Sequence, residues 1–489
     1  MDAVKVLAID LGASSGRLMQ AVFDGSSLQL SEVHRFKNEP VTINDGLYWN
    51  LLHLFDEIKK GIHKASQDEI PIQSISVDTW GVDYAYLDKS GDLLYQPHCY
   101  RDNRMGRYED ALYQLIDKYE LFEETGVQPS IINTLTQLYA DLQEKPHLVE
   151  TAQRVLFMPD LINYLLSGVL TNEYTISSTS GLLNSQTQTW SDKVFDTLGI
   201  PKHWFGDITK GGAVLRELSP RITQALRIEP FQVVTGAGHD TASAVLAIPY
   251  VDEQPAAFIS CGTWSLVGIE ADQPVITRAA FEAGVTNEGC FDGKYRILKN
   301  TTGLWILQEL QRDWRLRGEE ISFAEMTQLA REANQTKAWI QPNEAIFAAP
   351  GDMEAKILEQ CRITGQPVPQ TKGEIVRVVL ESLALAYRET IEQLEQLTNQ
   401  KIARIQMVGG GIQNTLLCQL TADYTGREVV AGPIEGSALG NVLAQLWTLK
   451  QVTSRQECVA LVKSAEQTWH YSPQLNDKVA VAYTTYQNL

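Results

Sequence analysis

Two acidic residues each sit in a run of small residues. Asp10 opens DLGASSGR (Asp10–Arg17), and Asp240 lies in GAGHDT (Gly236–Thr241). Small residues between two strands allow a tight hairpin whose N–H groups converge into a concavity suited to phosphate oxygens. A carboxylate at position 10 could then hold Mg²⁺, directly or through water, because that ion takes oxygen ligands and keeps several waters. In the second run Asp240 would take the proton of an attacking hydroxyl, with His239 and Thr241 orienting a sugar. Phosphoryl transfer is mostly positioning and charge neutralisation, so one well-placed carboxylate meets its acid–base needs. The alternatives are an ordinary Gly/Ser hairpin for the first run and an ordinary turn for the second.

Three further stretches belong with these. Gly262-Thr263 follows a strand-like run and could offer a hydroxyl and N–H groups to terminal phosphates. VGGGIQN (Val408–Asn414) lies between a strand pattern and a helix pattern, and its glycines would let backbone approach a nucleotide closely. It has neither the G-x-G-x-x-G spacing of a dinucleotide site nor the Gly-Lys-Ser/Thr of a Walker loop. DTWGVD (Asp78–Asp83) with YRDNR (Tyr100–Arg104) reads as a polyol-binding surface, where hydroxyls need bidentate partners and an aromatic face; solvated loop charge is the alternative.

The elements that must position these residues repeat. Val4–Asp10, Arg17–Phe23 and Leu28–Phe36 read as strands, followed by a helix over Asn50–Ser66 and a strand over Ile75–Asp78. In the second half, strands at Ala256–Ser260, from Ser265 and at Tyr295–Leu298 precede helices over Gly303–Trp314 and Gly373–Leu397. Strand Ile405–Val408, helix Asn414–Tyr424, strand Glu428–Ala431 and helix Ser437–Leu449 complete the order. IDLGASS (Ile9–Ser15) overlays ISCGTWS (Ile259–Ser265), with Ser260 in place of Asp10. A duplicated α/β scaffold with one carboxylate therefore predicts an asymmetric site. The boundary falls within Ile248–Pro255, giving domains 1–248 and 249–489. Residues Glu109 to Gln224 give no clear assignment.

The chain has 489 residues, too many for a single core, and a net charge of −19. That charge, with no basic–aromatic cluster, argues against nucleic acid or an anionic membrane as partner. The 6 cysteines form no C-x-x-C pair and suit reduced thiols. With no leader pattern and no apolar run of about 20 residues, the expected compartment is the cytoplasm. The oligomeric state is not fixed by these features, and a monomer is compatible with them.

These motifs in this order resemble the FGGY family of carbohydrate kinases, built from two ribonuclease H-like (actin-type ATPase) domains facing across a cleft. DLGASSGR, DTWGVD, YRDNR, Met158-Pro159-Asp160, GHDTASAV, SCGTWSL, LKNTTGLWILQ and VGGGIQNTLL carry the likeness nearly end to end. The resemblance implies ATP as co-substrate, with its phosphates on Ala13, Ser14, Ser15, Gly16 and Arg17, and Mg²⁺ organised by Asp10. It implies a sugar site lined by Gly81, His239, Asp240, Thr241 and Asn300, with Asp240 the proton acceptor. Thr263, Gln308 and Gly410 would lie on the nucleotide side. The implied reaction is phosphorylation of a small ketose at its C1 hydroxyl. L-Rhamnulose is the acceptor the motif set favours, and L-fuculose or D-xylulose the alternatives within the family. Tyr100 stands where the wider family often has Trp, which weakens transfer of exact sugar contacts. A non-catalytic actin-fold filament or regulator, and a Rossmann dehydrogenase, fit the glycine-rich turns and the polar clusters less well.

Overall fold

Val4–Leu11 is buried at all 8 of its residues, as a strand must be when both faces of its sheet are covered. The computed structural model describes residues 3–250, 254–333, 337–474 and 478–489. Residues 251–253 of the expected boundary and the first two residues of the expected leaderless terminus lie outside them. By its internal contacts the chain divides into two compact units. The first takes Met1–Ala247, Glu270–Ile297 and Gly436–Ala465; the second takes Ile248–Ile269, Leu298–Glu435 and Glu466–Leu489.

The first unit is built on β1 (Val4–Leu11), β2 (Ser15–Phe23), β3 (Leu28–Lys37), β4 (Ile72–Thr79), β5 (Val214–Glu217) and β6 (Gln232–Val234), in the order β5-β6-β4-β1-β2-β3. β1 is antiparallel to β2 and parallel to β4, and β4 is parallel to β6. Side chains alternate along each strand. Leu7, Ile9 and Leu11 of β1, with Ile75 and Val77 of β4, pack on helix α1 (Leu51–Ala65) through its buried Leu51, Leu54, Ile58 and Ile62. Val4, Val6 and Ala8 pack on the other face, against Ala438, Leu439, Val442 and Leu443 of helix Gly436–Thr448.

That second face also carries polar groups, and helix Gly436–Thr448 pairs with several of them. Asn441 Nδ2 donates to Asp78 Oδ2 at 2.7 Å, Ser74 Oγ donates to Gln445 Oε1 at 2.6 Å, and Gln445 Nε2 donates to the Leu7 carbonyl at 2.8 Å. A buried polar layer of this kind holds its register because each unmade bond is expensive. Helix Asp240–Leu246 packs on the same long helix. The two backbones approach so closely at Gly440 that a Cβ there would lie 1.7 Å from the Ser243 carbonyl oxygen.

Much of the stretch without a clear reading in the sequence forms a second lobe of this unit. Tyr84–Leu87 pairs antiparallel with Arg154–Phe157. Leu112, Leu121, Leu138, Phe157, Phe195 and Trp204 make its core.

In the second unit β7 (Ala256–Cys261), β8 (Trp264–Ala271), β9 (Tyr295–Thr302), β10 (Arg404–Val408), β11 (Glu428–Ala431) and β12 (Trp469–Tyr471) are ordered β9-β8-β7-β10-β11-β12. The order β9-β8-β7-β10-β11 repeats β3-β2-β1-β4-β6, so the duplication read from the sequence is present in the topology. Helix α2 (Lys372–Thr398) runs for 27 residues. Its start is set by a capping box, in which Thr371 Oγ1 accepts from Glu374 N and Glu374 accepts from Thr371 N. Tyr295–Ile297, the first residues of β9, group with the first unit, where Tyr295 Oη donates to the Ser185 carbonyl. Among the described residues no helix is long and apolar enough to cross a membrane, and all six cysteines are buried and free.

Gly440→Ala tests the packing of the two helices. A methyl group against backbone cannot be relieved by a rotamer change, so the variant should lose ~3 kcal/mol or more of unfolding free energy, read from the urea midpoint. An unchanged midpoint would show that the helices separate freely.

Candidate active site

Strand register decides which side chains meet at the carboxyl ends of β1, β4 and β6. Asp10 lies opposite Arg17 on β2 and beside Asp78 on β4. Arg17 donates from Nε and Nη2 to Asp10 Oδ2 at 2.9 and 2.6 Å. Thr79 bridges His239 in parallel register, and its N–H donates to the Gly238 carbonyl at 2.9 Å. That contact brings Asp240, at the start of its helix, to the next strand end. The same register in the second sheet sets Ser260 opposite Leu266 and beside Val408. The duplicated scaffold thus carries its acids and their arginine in one copy only.

Burial, and after it the crowding of like charges, shifts Asp78 and Asp240. Asp78 is fully buried, and burial first and the Asp10 charge second hold its carboxyl well above the usual range. Its Oδ1 has no hydrogen-bond partner among the described residues. Asp240 keeps 29% of its side-chain surface. Burial, and after it the Asp10 charge, push its carboxyl up to about 7. A reachable carboxylate that changes charge near neutral pH suits a general base.

A second buried acid sets the loop that carries Asp240. Glu173 accepts from Gly238 N at 3.0 Å, from Thr175 N and Oγ1, and from Ile176 N; Thr175 Oγ1 in turn accepts from His239 N at 3.2 Å. Asp160 of the Met-Pro-Asp stretch accepts from Thr171 Oγ1 and Glu173 N, and so shapes the turn that supplies Glu173. His239 Nδ1 lies 3.0 Å from Arg296 Nη2, and Arg296 also donates to Glu288. His239 Nε2 lies 3.5 Å from Asp240 Oδ1, and Thr241 Oγ1 donates to that oxygen at 3.1 Å. Gly81 faces the same ring: a Cβ there would sit 3.2 Å from His239 Nε2.

The expected site residues therefore fall in two sets. Asp10, Ala13, Ser14, Ser15, Gly16, Arg17, Gly81, His239, Asp240 and Thr241 belong to the first unit. The 12–16 turn is closed by Gly12 N donating to the Ser15 carbonyl, and Asn38 Nδ2 donates to the Gly12 carbonyl at 2.8 Å. Thr263, Asn300, Gln308 and Gly410 belong to the second unit. There Gln308 Nε2 donates to Thr263 Oγ1 at 3.2 Å, and Asn300 is exposed on β9. The three glycines of VGGGIQN divide their work. A Cβ at Gly409 would lie 2.9 Å from the Cys261 carbonyl and one at Gly411 2.3 Å from Cys261 Sγ, whereas one at Gly410 meets nothing within 4 Å among the described residues. Gly410 alone leaves its face open.

The expectation of a polyol-binding surface over Asp78–Asp83 and Tyr100–Arg104 is corrected for its buried charges Asp78, Asp83, Asp102 and Arg104. Asp83 is buried and accepts from Trp49 Nε1, Trp80 Nε1, Tyr100 N and Gln137 Nε2 at 2.6, 2.9, 3.1 and 2.9 Å. Arg104 is buried on Asp141 and Gln137. These charges are consumed inside the protein, because a buried carboxylate or guanidinium must find partners there. Of the two stretches, Gly81, Tyr100, Arg101 and Asn103 keep appreciable exposure. Glu173, Glu288 and Arg296 were not singled out in the sequence, since the loop that Glu173 and Arg296 reach at Gly238 and His239 lies 65 and 57 residues from them and Glu288 acts through Arg296.

Among the described residues no group of three or more His, Cys, Asp or Glu side chains is arranged to hold a metal. Mg²⁺ held with a nucleotide asks for less, one or two carboxylates with water and phosphate completing the shell. Asp10 and the unpartnered Asp78 Oδ1 offer that donor chemistry on neighbouring strands.

Comparison with known proteins agrees with this architecture. Residues 5–247 match the N-terminal domain of the FGGY family of carbohydrate kinases, and residues 257–449 match its C-terminal domain. A rhamnulokinase of Bacteroides thetaiotaomicron is 37% identical over 481 residues, 98% of each chain. One of Oceanobacillus iheyensis is 35% identical over 466 residues, 95% of this chain and 98% of that one. A ligand-bound xylulose kinase from Lactobacillus acidophilus superposes with a TM-score of 0.81 at 17% identity, covering 99% of this chain and 96% of its own. Plasmodium falciparum glycerol kinase with ADP gives 0.80 at 15%, covering 99% and 97%. The structural likeness shows a mixed α/β, two-domain fold shared with these sugar kinases. By both halves of its sequence the chain belongs to the FGGY family of carbohydrate kinases.

Proposed function

We propose that this kinase transfers the γ-phosphoryl group of ATP to the C1 hydroxyl of L-rhamnulose. The products are L-rhamnulose 1-phosphate and ADP, and the setting is cytoplasmic L-rhamnose catabolism. The observation that carries the substrate is the likeness, over nearly the whole chain, to two rhamnulokinases at 35–37% identity.

In this reading Asp240 accepts the C1 hydroxyl proton as the oxygen attacks the γ-phosphorus. The bond from that phosphorus to the bridging oxygen breaks, and ADP leaves with the electron pair. Gly81, His239, Thr241 and Asn300 hold the ketose. Ala13 to Arg17 hold the phosphates, and Thr263, Gln308 and Gly410 hold the rest of the nucleotide. Asp10 would hold Mg²⁺, which supplies neutralisation of phosphate charge when bound.

Coupled ADP release across L-rhamnulose, L-fuculose, D-xylulose and glycerol tests the assignment. L-Rhamnulose should give the highest kcat/KM, and a higher value for another acceptor would replace it. Asp240→Asn should lower kcat by about 10²–10⁴, the usual worth of a positioned base; near-normal turnover would remove Asp240 from that role. Because the folded carboxyl titrates at about 7 and works when ionised, kcat/KM for the ketose should fall as pH drops below that value. A profile flat to pH 5 would contradict it. Gly410→Ala, which clashes with nothing in the fold, should raise the KM for ATP about tenfold through overpacking of the nucleotide, with the ketose KM unchanged. An unchanged ATP KM would place the nucleotide elsewhere.

A further inference from the structure

Arg296 is fully buried, and its position has a consequence for His239. Its Nη2 lies 3.0 Å from His239 Nδ1 and 2.8 Å from Glu288 Oε2. A guanidinium nitrogen only donates, so Nδ1 must accept and the proton of the neutral ring sits on Nε2. Glu288 Oε2 is 3.6 Å from Nδ1, outside hydrogen-bond distance, and serves to hold the guanidinium. On the far side of the ring Nε2 lies 3.5 Å from Asp240 Oδ1 and faces Gly81, where the absent side chain leaves room. The opposite tautomer would set an N–H against the guanidinium and a lone pair against the Asp240 carboxylate, unfavourable on both sides. Burial and the Arg296 charge also keep the imidazole neutral.

We infer that Arg296, braced by Glu288, is a positioning residue that locks His239 as the Nε2–H tautomer, so that one N–H donor faces Asp240 and the acceptor sugar. The inference rests on the reading of Asp240 as the base and of His239 as a sugar ligand. It deepens that reading by naming what sets the donor. Glu288 and Arg296 lie on a hairpin held to the same unit by Asn287 Nδ2 donating to the Gly126 carbonyl and Gly289 N donating to Ser178 Oγ. The lock is therefore built into the unit that carries Asp240.

The test is nitrogen-15 NMR of histidine-labelled protein, with the His239 signals assigned by their loss in His239→Asn. The expected wild-type spectrum shows Nε2 protonated and Nδ1 unprotonated. Nδ1 protonation, or an imidazolium, would overturn the lock whatever the activity. In Arg296→Met the two tautomers should mix, and the ketose KM should rise about tenfold with a smaller change in kcat, the loss of one charge-assisted hydrogen bond. Arg296→Lys, which restores a donor, should recover part of the loss. Should the single variant not fold because Glu288 is left buried alone, Arg296→Met with Glu288→Met removes both charges together. An unchanged tautomer or an unchanged ketose KM in the folded variant would overturn the proposal. The spectrum is read without turnover, so an Asp240→Asn enzyme that stays active would sink the base assignment and leave the tautomer result standing.

Discussion

A strand register cannot slip by one residue without exchanging the two faces of the sheet, and the site depends on that constraint. Leu7, Ile9 and Leu11 are committed to α1, and Val6 and Ala8 to helix Gly436–Thr448. Asp10 then has one place to go, opposite Arg17 and beside Asp78. The bridge from Thr79 to His239 extends the same register to Asp240. Acids that would repel one another in solution are held at neighbouring strand ends by the apolar side chains behind them.

The electrostatic consequence falls on the two carboxyls around Asp10. Asp10 is paired to Arg17. Asp78, buried and near Asp10, is held strongly toward its protonated form. Asp240, half-buried, is poised near neutrality. A carboxyl raised by folding contributes stability that is fully present below its unfolded value and is lost as pH rises through its folded value. For Asp240 that window runs from about 4 to about 7, so the arrangement weakens the fold over the pH range where this carboxyl ionises. Groups perturbed in this way gather where chemistry is done.

Much of this was legible in the sequence because it is local or repeated. Buried strands, the helices at Asn50–Ser66 and Gly373–Leu397, and the duplicated hairpins all announce themselves by period and by small residues. The loss of Asp10 at Ser260 already pointed to an asymmetric site, and the structure adds Leu266 for Arg17 and Val408 for Asp78. What stayed hidden is long-range. Glu173 reaches the Gly238 N–H from a stretch with no clear period. Arg296 meets His239 across 57 residues. Gly440 reads as an ordinary helical glycine until the Ser243 carbonyl is found against it. The charged cluster over Asp78–Asp83 and Tyr100–Arg104 misled for a related reason: composition does not distinguish a carboxylate that waits for a ligand from one, like Asp83, already holding two indoles.

Burial first, and the Asp10 charge that strand register holds nearby, raise the Asp240 carboxyl. Carboxyl titration by infrared difference spectroscopy, wild type against Asp240→Asn, measures it without substrate. The expected band titrates near 7 in the wild type and at lower pH in Asp10→Asn, where the repelling charge is gone. A band in the ordinary aspartate range near 4, or one that Asp10→Asn leaves in place, would contradict it.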